Sequence, residues 1–313
     1  MTLSHQWMRG HDAGSPASEA RAITASPPQA GPIRTVPKIH PSAIVDPGAQ
    51  LADDVSIGPF CHVGARARLG PGVVLHHGAV VDGFTTIGPR TEVFHYAVIG
   101  TIPQDKKFKG ENSRVEIGED NVIREHVTIH LGTEVGGGVT RLGHRNLIMA
   151  GVHVGHDCIL GNNNVVANFT GLAGHVIIED FVTLGGQTGI HQFVRVGSHC
   201  MTSGGSKVGK DIPPFTIAQG YPARLRGVNQ IGLKRRGFSD ETVRSLRQAY
   251  RAIFYEPDSR FEDIVTRVRA DFQTSVEVTR FLDFLSDAQR SDRGFLRPGR
   301  GDDNGQGHEE DEH

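Results

Sequence analysis

From Ile39 onward an aliphatic residue recurs at every sixth position: Ile39, Val45, Leu51, Ile57, Val63, Leu69, Leu75, Val81, Ile87, Val93 and Ile99. The frame lapses over Asp105 to Arg114, resumes at Ile117, Ile123 and Ile129, and breaks again at Gly136 to Gly138. A second unbroken frame runs through Leu142, Ile148, Val154, Leu160, Val166, Leu172, Ile178, Leu184, Ile190 and Val196. A helix repeats at 3.6 residues and a strand at 2, so neither alone sustains six. A short strand followed by a tight turn does. Gly, Asp, Asn or Pro often follows the aliphatic head, as in Ile57-Gly58-Pro59 and Leu160-Gly161-Asn162-Asn163, which is turn chemistry. The fifth position is small or β-branched (Ala43, Ala49, Val55, Ala67, Val73, Ala79), and Cys61, Cys158 and Cys200 all occupy it. That pattern fits a narrow interior. With 40 glycines and only 6% aromatics, the chain reads as a mainly β, turn-dense solenoid: a parallel β-helix in which each coil packs on its neighbours.

Four segments follow from this reading. Residues 1–36 are rich in Ser, Ala and Pro, carry Arg9, Arg21 and Arg34 and lack an apolar core for a secretory signal. They read as a disordered extension, with a transit peptide or a misplaced start codon as alternatives. The solenoid spans 37–220, with a flap at 104–114 where the frame lapses. A helical domain spans 221–297: Ser239 to Glu256 has Val243, Leu246, Tyr250 and Ile253 at helical spacing behind Asp240 and Glu241. Ser259-Arg260-Phe261-Glu262 matches a capping box, and a third helical run covers Val276 to Leu285. Residues 298–313 are polar, glycine-rich and acidic, as expected of a disordered tail. Lys and Arg total 33 against 35 Asp and Glu, so no basic field argues for nucleic acid. No stretch approaches the ~20 apolar residues of an integral membrane segment. Three cysteines without a CxxC pair suit a reducing, cytoplasmic compartment.

A hexad solenoid is only a scaffold, so chemistry is sought in departures from the repeat. Three occur. The excursion Gln104-Asp105-Lys106-Lys107-Phe108-Lys109-Gly110 is polar, basic and long enough to leave the coil. Histidines recur on consecutive coils at His153, His156, His175 and His191. The last three lie 19 and 16 residues apart, near the eighteen of three hexads, and are expected to stack in one cleft. A basic run, Leu233-Lys234-Arg235-Arg236-Gly237-Phe238, precedes the helices. The ordinary reading of each is a surface turn residue or a solvated helix approach. His156 differs because Asp157 follows it, and a carboxylate partner makes a histidine a general base by fixing its tautomer and favouring the imidazolium. No P-loop, GxSxG elbow or HExxH is present.

These residues carry a resemblance. The hexads, the 104–110 excursion, IREHVTIHLGT, GVHVGHDC, LAGH, HQF, IPPFTIAQG and GVNQIGLKRRGFS, collinear from about Ile39 to Arg297, resemble the UDP-N-acetylglucosamine O-acyltransferase family of lipid A biosynthesis. The resemblance implies a left-handed β-helix and a homotrimer with active sites between neighbouring subunits. It implies transfer of a 3-hydroxyacyl group from acyl carrier protein to the 3-hydroxyl of UDP-N-acetylglucosamine, without a metal or dissociable cofactor. On this footing His156 matches the general base, Asp157 orients it, and the Gly174 N–H is the oxyanion donor. His153, His175 and His191 match contacts to acyl donor and sugar, and Asp105 and Lys107 match substrate contacts on the flap. Asn229, Arg235 and Gln192 match nucleotide-binding positions, and Gly204 the acyl ruler. A basic rim of Arg224, Arg226 and Lys234 is expected to dock the acidic carrier.

Phe108 replaces the tyrosine expected on the flap, and Gly155 lies beside His156 where some relatives prefer a 3-amino sugar and form an amide. That N-acyl alternative stays open, as does a later N-acyltransferase of the same pathway, although the low-complexity 1–36 segment cannot supply that enzyme's extra N-terminal domain. A hexad-fold zinc hydratase would bind a metal between subunits through three histidines, for which His126, His130 and His153 are the candidates. A non-catalytic scaffold is the remaining alternative.

Overall fold

The structure, a computed structural model, describes residues 36–256 and 260–299. The predicted 1–36 extension and 298–313 tail lie outside the described residues except for Val36, Pro298 and Gly299, and so does Ser259. Pro298, expected in the tail, bridges to Leu225, so the ordered chain continues past the predicted boundary at 297.

Each hexad folds as a two-residue strand and a turn, and three hexads close one coil of a left-handed parallel β-helix. Its three faces are sheets of eleven, nine and eight strands among the described residues. Register makes the coil length explicit. Leu75 pairs with Val93 and Ile148 with Val166, both eighteen residues on. Val93, however, pairs with Ile123 and Ile123 with Ile148, thirty and twenty-five residues on. The ladder therefore absorbs two insertions, twelve and seven residues long, without losing pairing. The first is the flap. It occupies 102–113, because Arg114, placed in the flap by the hexad frame, opens the strand Arg114–Ile117. The second excursion lies between the strands Thr128–His130 and Val139–Leu142 and contains a single 3-10 turn, Glu134–Gly136.

The aliphatic heads point inward and form one continuous core, with the fifth-position residues between them. Cys158 and Cys200 are fully buried; burial pushes both thiols up to about 12, and each donates to a backbone carbonyl, Ala173 and Pro213. They act as small interior side chains. The first coil departs from the pattern: Ile39 is 43% exposed, and Ala43, Val45, Ala49 and Leu51 are only partly buried, since no described coil precedes them to cover that end.

Coil corners are too tight for ordinary dihedrals. Asp157, Asn163, His175, Phe181, Phe193 and His199 all sit at φ between 57° and 65°, a left-handed conformation uncommon outside glycine. Stacking on the residue one coil away helps hold them there: Phe181 on His199 at 4.9 Å between ring centroids and His199 on Phe215 at 5.6 Å. Burial, with the Arg236 guanidinium, lowers the His199 pKa to about 4. The unfolded chain titrates near 6.5 and binds more protons between these values, so stability falls as pH drops from about 6.5 to about 4. Urea unfolding near pH 7.5 and near pH 5 should show a smaller loss for His199→Phe than for wild type. Equal losses would remove His199 from the account.

The solenoid ends on an antiparallel hairpin, Thr216–Gly220 with Ala223–Val228, where the helical domain was expected to begin at 221. Ala223 and Leu225 are buried and Arg224 and Arg226 exposed, the period-two alternation of a strand, so the helical expectation does not hold for this stretch. Four helices follow: α1 Gln230–Arg235, α2 Asp240–Tyr255, α3 Phe261–Asp271 and α4 Val276–Arg290. The first half of the basic run expected ahead of the helices, Leu233 to Arg235, is thus the second half of α1, and Arg236 is its C-cap. Ser239 caps α2, accepting from the Thr242 N–H at 3.0 Å. Arg260 is the N-cap of α3, without a side-chain bond. α4 runs five residues past the predicted Leu285, because Ala288 still faces the core. Arg280 of α4 ties the helices to the coil, donating to Glu179 at 3.0 Å and Ser198 at 2.6 Å.

Candidate active site

The eighteen-residue register decides which outward-facing side chains meet. On one corner His156, Gly174 and Gln192 follow one another along successive coils, linked through His175 N–H to His156 C=O and Phe193 N–H to Gly174 C=O. Asp157, His175 and Phe193 form the adjacent row. His156 Nδ1 lies 2.8 Å from Asp157 Oδ2, and the carboxylate is almost wholly buried while the imidazole is 19% exposed. That contact leaves Nε2 beside Gly174. A Cβ added to Gly174 would stand 2.6 Å from Nε2 and 2.5 Å from Cε1, so only glycine admits the ring here. The Gly174 N–H makes no hydrogen bond among the described residues, whereas the flanking amides are both engaged, the Ala173 N–H with Ile190 C=O on the following coil and the His175 N–H with His156 C=O on the preceding one.

His175 meets His156 edge to face at 5.0 Å, and its Nδ1 is 3.9 Å from Asp157 Oδ2. Burial lowers its pKa, opposed by the charges of Asp157 and of Asp105, which places the flap carboxylate within electrostatic reach of the cleft. Behind His156, His130 and His153 meet edge to face at 5.1 Å, and His153 Nδ1 contacts Thr128 Oγ1 at 2.8 Å. Burial lowers both, His130 to about 4. The rings around His156 therefore stay neutral near pH 7, when a positive charge on any of them would oppose protonation of His156.

The expectation that His156, His175 and His191 stack together is corrected. Phe193, not His191, lies over His175, at 4.4 Å and 7° between planes. Residue 193 is eighteen on from 175; residue 191 is two short and falls two rows over, in line with Gly155 and Ala173, where its Nδ1 contacts Gln192 C=O at 3.2 Å. Gln192 is exposed one coil beyond Gly174, and Gly204 is exposed on another corner with only the Gly186 carbonyl near a hypothetical Cβ. Lys107 is exposed, and its N–H donates to Asp105 Oδ1 at 2.9 Å. Asn229 is buried as the N-cap of α1, accepting from Gly232 N–H and donating to His199 C=O. Arg235 is exposed on α1. Among the described residues Gln192, Gly204, Asn229 and Arg235 form no hydrogen bond or ion pair with His156. Of the docking rim, Arg224 and Arg226 are exposed, Arg226 donating to Gln219 Oε1 at 3.1 Å, and Lys234 is paired with Asp240 at 2.8 Å.

Within this chain His130 and His153 lie together and His126 lies apart from them. His126 stacks on Tyr96 on a different corner. Among the described residues, the three donors that approach within 4.8 Å of one another are His156, Asp157 and His175. Both Asp157 oxygens already accept from Thr133, Oδ1 from its N–H and Oδ2 from its hydroxyl. Thr133 and Phe193 escaped the sequence reading. Thr133 had one visible signal, the second break in the hexad frame one coil before His156.

Residues 211–296 match the family described as UDP N-acetylglucosamine O-acyltransferase, domain 2, and residues 132–174 match the bacterial transferase hexapeptide repeat. An acyl-[acyl-carrier-protein]–UDP-N-acetylglucosamine O-acyltransferase of Syntrophobacter fumaroxidans is 46% identical over 254 residues, covering 81% of this chain and 98% of that protein. One of the same name from Thiobacillus denitrificans is 48% identical over 259 residues, 83% and 99%. The solved structure of LpxA from Acinetobacter baumannii superposes with a TM-score of 0.78 at 41% identity, covering 83% of this chain and 99% of that one.

Proposed function

Because this chain belongs to the UDP-N-acetylglucosamine O-acyltransferase family and is an acyltransferase, we propose that it moves a 3-hydroxyacyl group from acyl carrier protein to the 3-hydroxyl of UDP-N-acetylglucosamine, the first step of lipid A biosynthesis. The observation that carries the mechanism is the pairing of His156 with buried Asp157 beside the unpaired Gly174 N–H. His156 Nε2 takes the proton of the sugar hydroxyl as its oxygen attacks the thioester carbonyl carbon. Asp157 holds the proton on Nδ1 and stabilises the imidazolium. The C–O bond forms, and the carbonyl oxygen gathers negative charge toward the Gly174 N–H, a donor whose removal typically costs about 2.7–4 kcal/mol. Collapse expels the carrier thiolate, which recovers the proton from His156. No metal or dissociable cofactor is required in this scheme.

His175, His191 and His153, with Asp105 and Lys107 of the flap, line the acyl and sugar sites in this reading. Gln192, Asn229 and Arg235 bind the nucleotide, with the Arg235 fork on the diphosphate, and Gly204, at the acyl ruler, has no side chain and so leaves the acyl slot long. In this reading, as the resemblance implies, a neighbouring subunit of a homotrimer completes the cleft. The reading places the enzyme in the cytoplasm, where carrier and nucleotide sugar are both available. Arg224 and Arg226 present positive charge to the acidic carrier. Raising salt should then raise the KM for the carrier while leaving that for the sugar nearer its starting value. A carrier KM indifferent to salt would end the docking idea.

The direct test is acyl transfer by the purified protein, offered 3-hydroxyacyl carrier proteins of several lengths with UDP-N-acetylglucosamine. Ester formation is expected. Amide formation with the 3-amino sugar and none with the N-acetyl sugar would replace the acceptor; no product with either would overturn the reading.

A further inference from the structure

We propose that Thr133, in the excursion between His130 and Val139 one coil before His156, is a positioning residue that sets the orientation and basicity of His156 through Asp157. The proposal rests on His156 acting as the base. Thr133 is buried and holds both oxygens of one carboxylate: its N–H donates to Asp157 Oδ1 at 2.8 Å and its hydroxyl to Oδ2 at 2.7 Å. Oδ2 is also the oxygen that His156 Nδ1 approaches at 2.8 Å. The two contacts from Thr133 fix rotation of the carboxylate about its Cβ–Cγ bond, and that rotation aims Oδ2 at the imidazole. From the other side, the Asp157 N–H donates to Thr140 Oγ1 at 2.8 Å.

The rest of the excursion is shaped around the same group. A Cβ on Gly136 would stand 2.0 Å from Asp157 Cγ and 2.4 Å from each oxygen; one on Gly132 would stand 2.8 Å from Oδ1. Gly136 does not adopt a left-handed φ, so its absence of a side chain answers to the close approach of the carboxylate, not to backbone strain. By contrast Val135, at the tip, is 90% exposed. An insertion that breaks an otherwise regular repeat thus packs its buried end against one carboxylate.

Chemistry gives the role a sign. The Thr133 hydroxyl shares Oδ2 with His156 and draws electron density from it. Without that donor the carboxylate is more basic and stabilises the imidazolium more, so His156 loses its proton at higher pH. The other titratable groups around the ring are His175 at 5.0 Å, the His153 and His130 pair, and Asp105 acting on His175 from the flap. A substitution at Thr133 changes none of them.

The experiment compares wild type, Thr133→Val, Thr133→Ser, Gly136→Ala and His156→Ala as full-length proteins, with 3-hydroxyacyl carrier protein and UDP-N-acetylglucosamine across pH. Thr133→Val should lower kcat by up to about 10²-fold, the scale for misplacing a reacting group by about 1 Å, leave both KM values near wild type, and move the acid limb of the kcat profile to higher pH. Thr133→Ser should restore kcat and the limb. Gly136→Ala, which attacks the carboxylate sterically and spares the Thr133 hydroxyl, should also lower kcat, and it stands in if the valine variant fails to fold. Wild-type kcat in Thr133→Val, or a loss that serine does not restore and that leaves the limb in place, overturns the proposal. If His156→Ala keeps full activity, the base assignment fails and this proposal with it; if His156→Ala is inactive while Thr133→Val is normal, only the proposal fails.

Discussion

His156→Ala should lower kcat roughly 10²–10⁴-fold or more while leaving the KM for carrier and sugar close to wild type, because general-base loss removes a contact made as the proton moves. Nothing nearby replaces the ring. His175 is the closest imidazole, but its Nδ1 is 3.9 Å from the Asp157 carboxylate and it stacks on Phe193, so it lacks both the tether and the freedom to turn. His153 and His130 are held against each other, with pKa values lowered by burial. The fold should be indifferent, since His156 lies outside the aliphatic core and its backbone carbonyl still accepts from His175 N–H. Steady-state kinetics with a matched urea midpoint checks this. Retention of kcat within a few-fold of wild type would dismiss His156 as the base and favour a scaffold.

The second large effect is expected where no functional group is removed. Gly174→Ala keeps the backbone N–H assigned to the oxyanion and adds one methyl group. That methyl would stand 2.5–2.6 Å from Cε1 and Nε2 of His156, so the ring must move, while Asp157 holds its other edge at 2.8 Å. A displacement of about 1 Å in such a group is enough to cost about 10²-fold. Gly174 has no left-handed φ, so the backbone accepts alanine without strain. The expected pattern is a fall in kcat of that size with an unchanged thermal midpoint. Wild-type turnover would mean that the position of His156 does not limit the reaction.

How far the sequence foretold this molecule depended on which way a side chain points. Inward positions obey a rule: from Ile57 to Val196 the heads had to be aliphatic to fill the coil, so the solenoid and the interior place of all three cysteines were legible. Outward positions obey no such rule. Whether Phe193 or His191 covers His175 depends on a register exact to one residue, and the approximate spacing of histidines pointed to the wrong neighbour. Asp157 beside His156 was visible because the two are adjacent. Thr133 was not, because its bonds to Asp157 span twenty-four residues and cross the second insertion. The hairpin at 216–228 was missed for a local reason: alternation over Ala223 to Val228 is shorter than the helical runs that follow and was assimilated to them.

The ladder that takes Ile148 to Val166 in eighteen residues also quantises distance along the solenoid. Successive coils are one strand spacing apart, about 4.8 Å, whereas a carbon–carbon bond is about 1.5 Å. Shifting a blocking side chain from one coil to the next therefore changes the depth of a surface slot by several carbons at once. Gly186 and Gly204, one coil apart on the same corner, are two such marks on a coarse scale. Any discrimination finer than that step has to come from the bulk of the residue at a single mark, which makes Gly204→Ser or Gly204→Met a finer adjustment than any rearrangement of the coils.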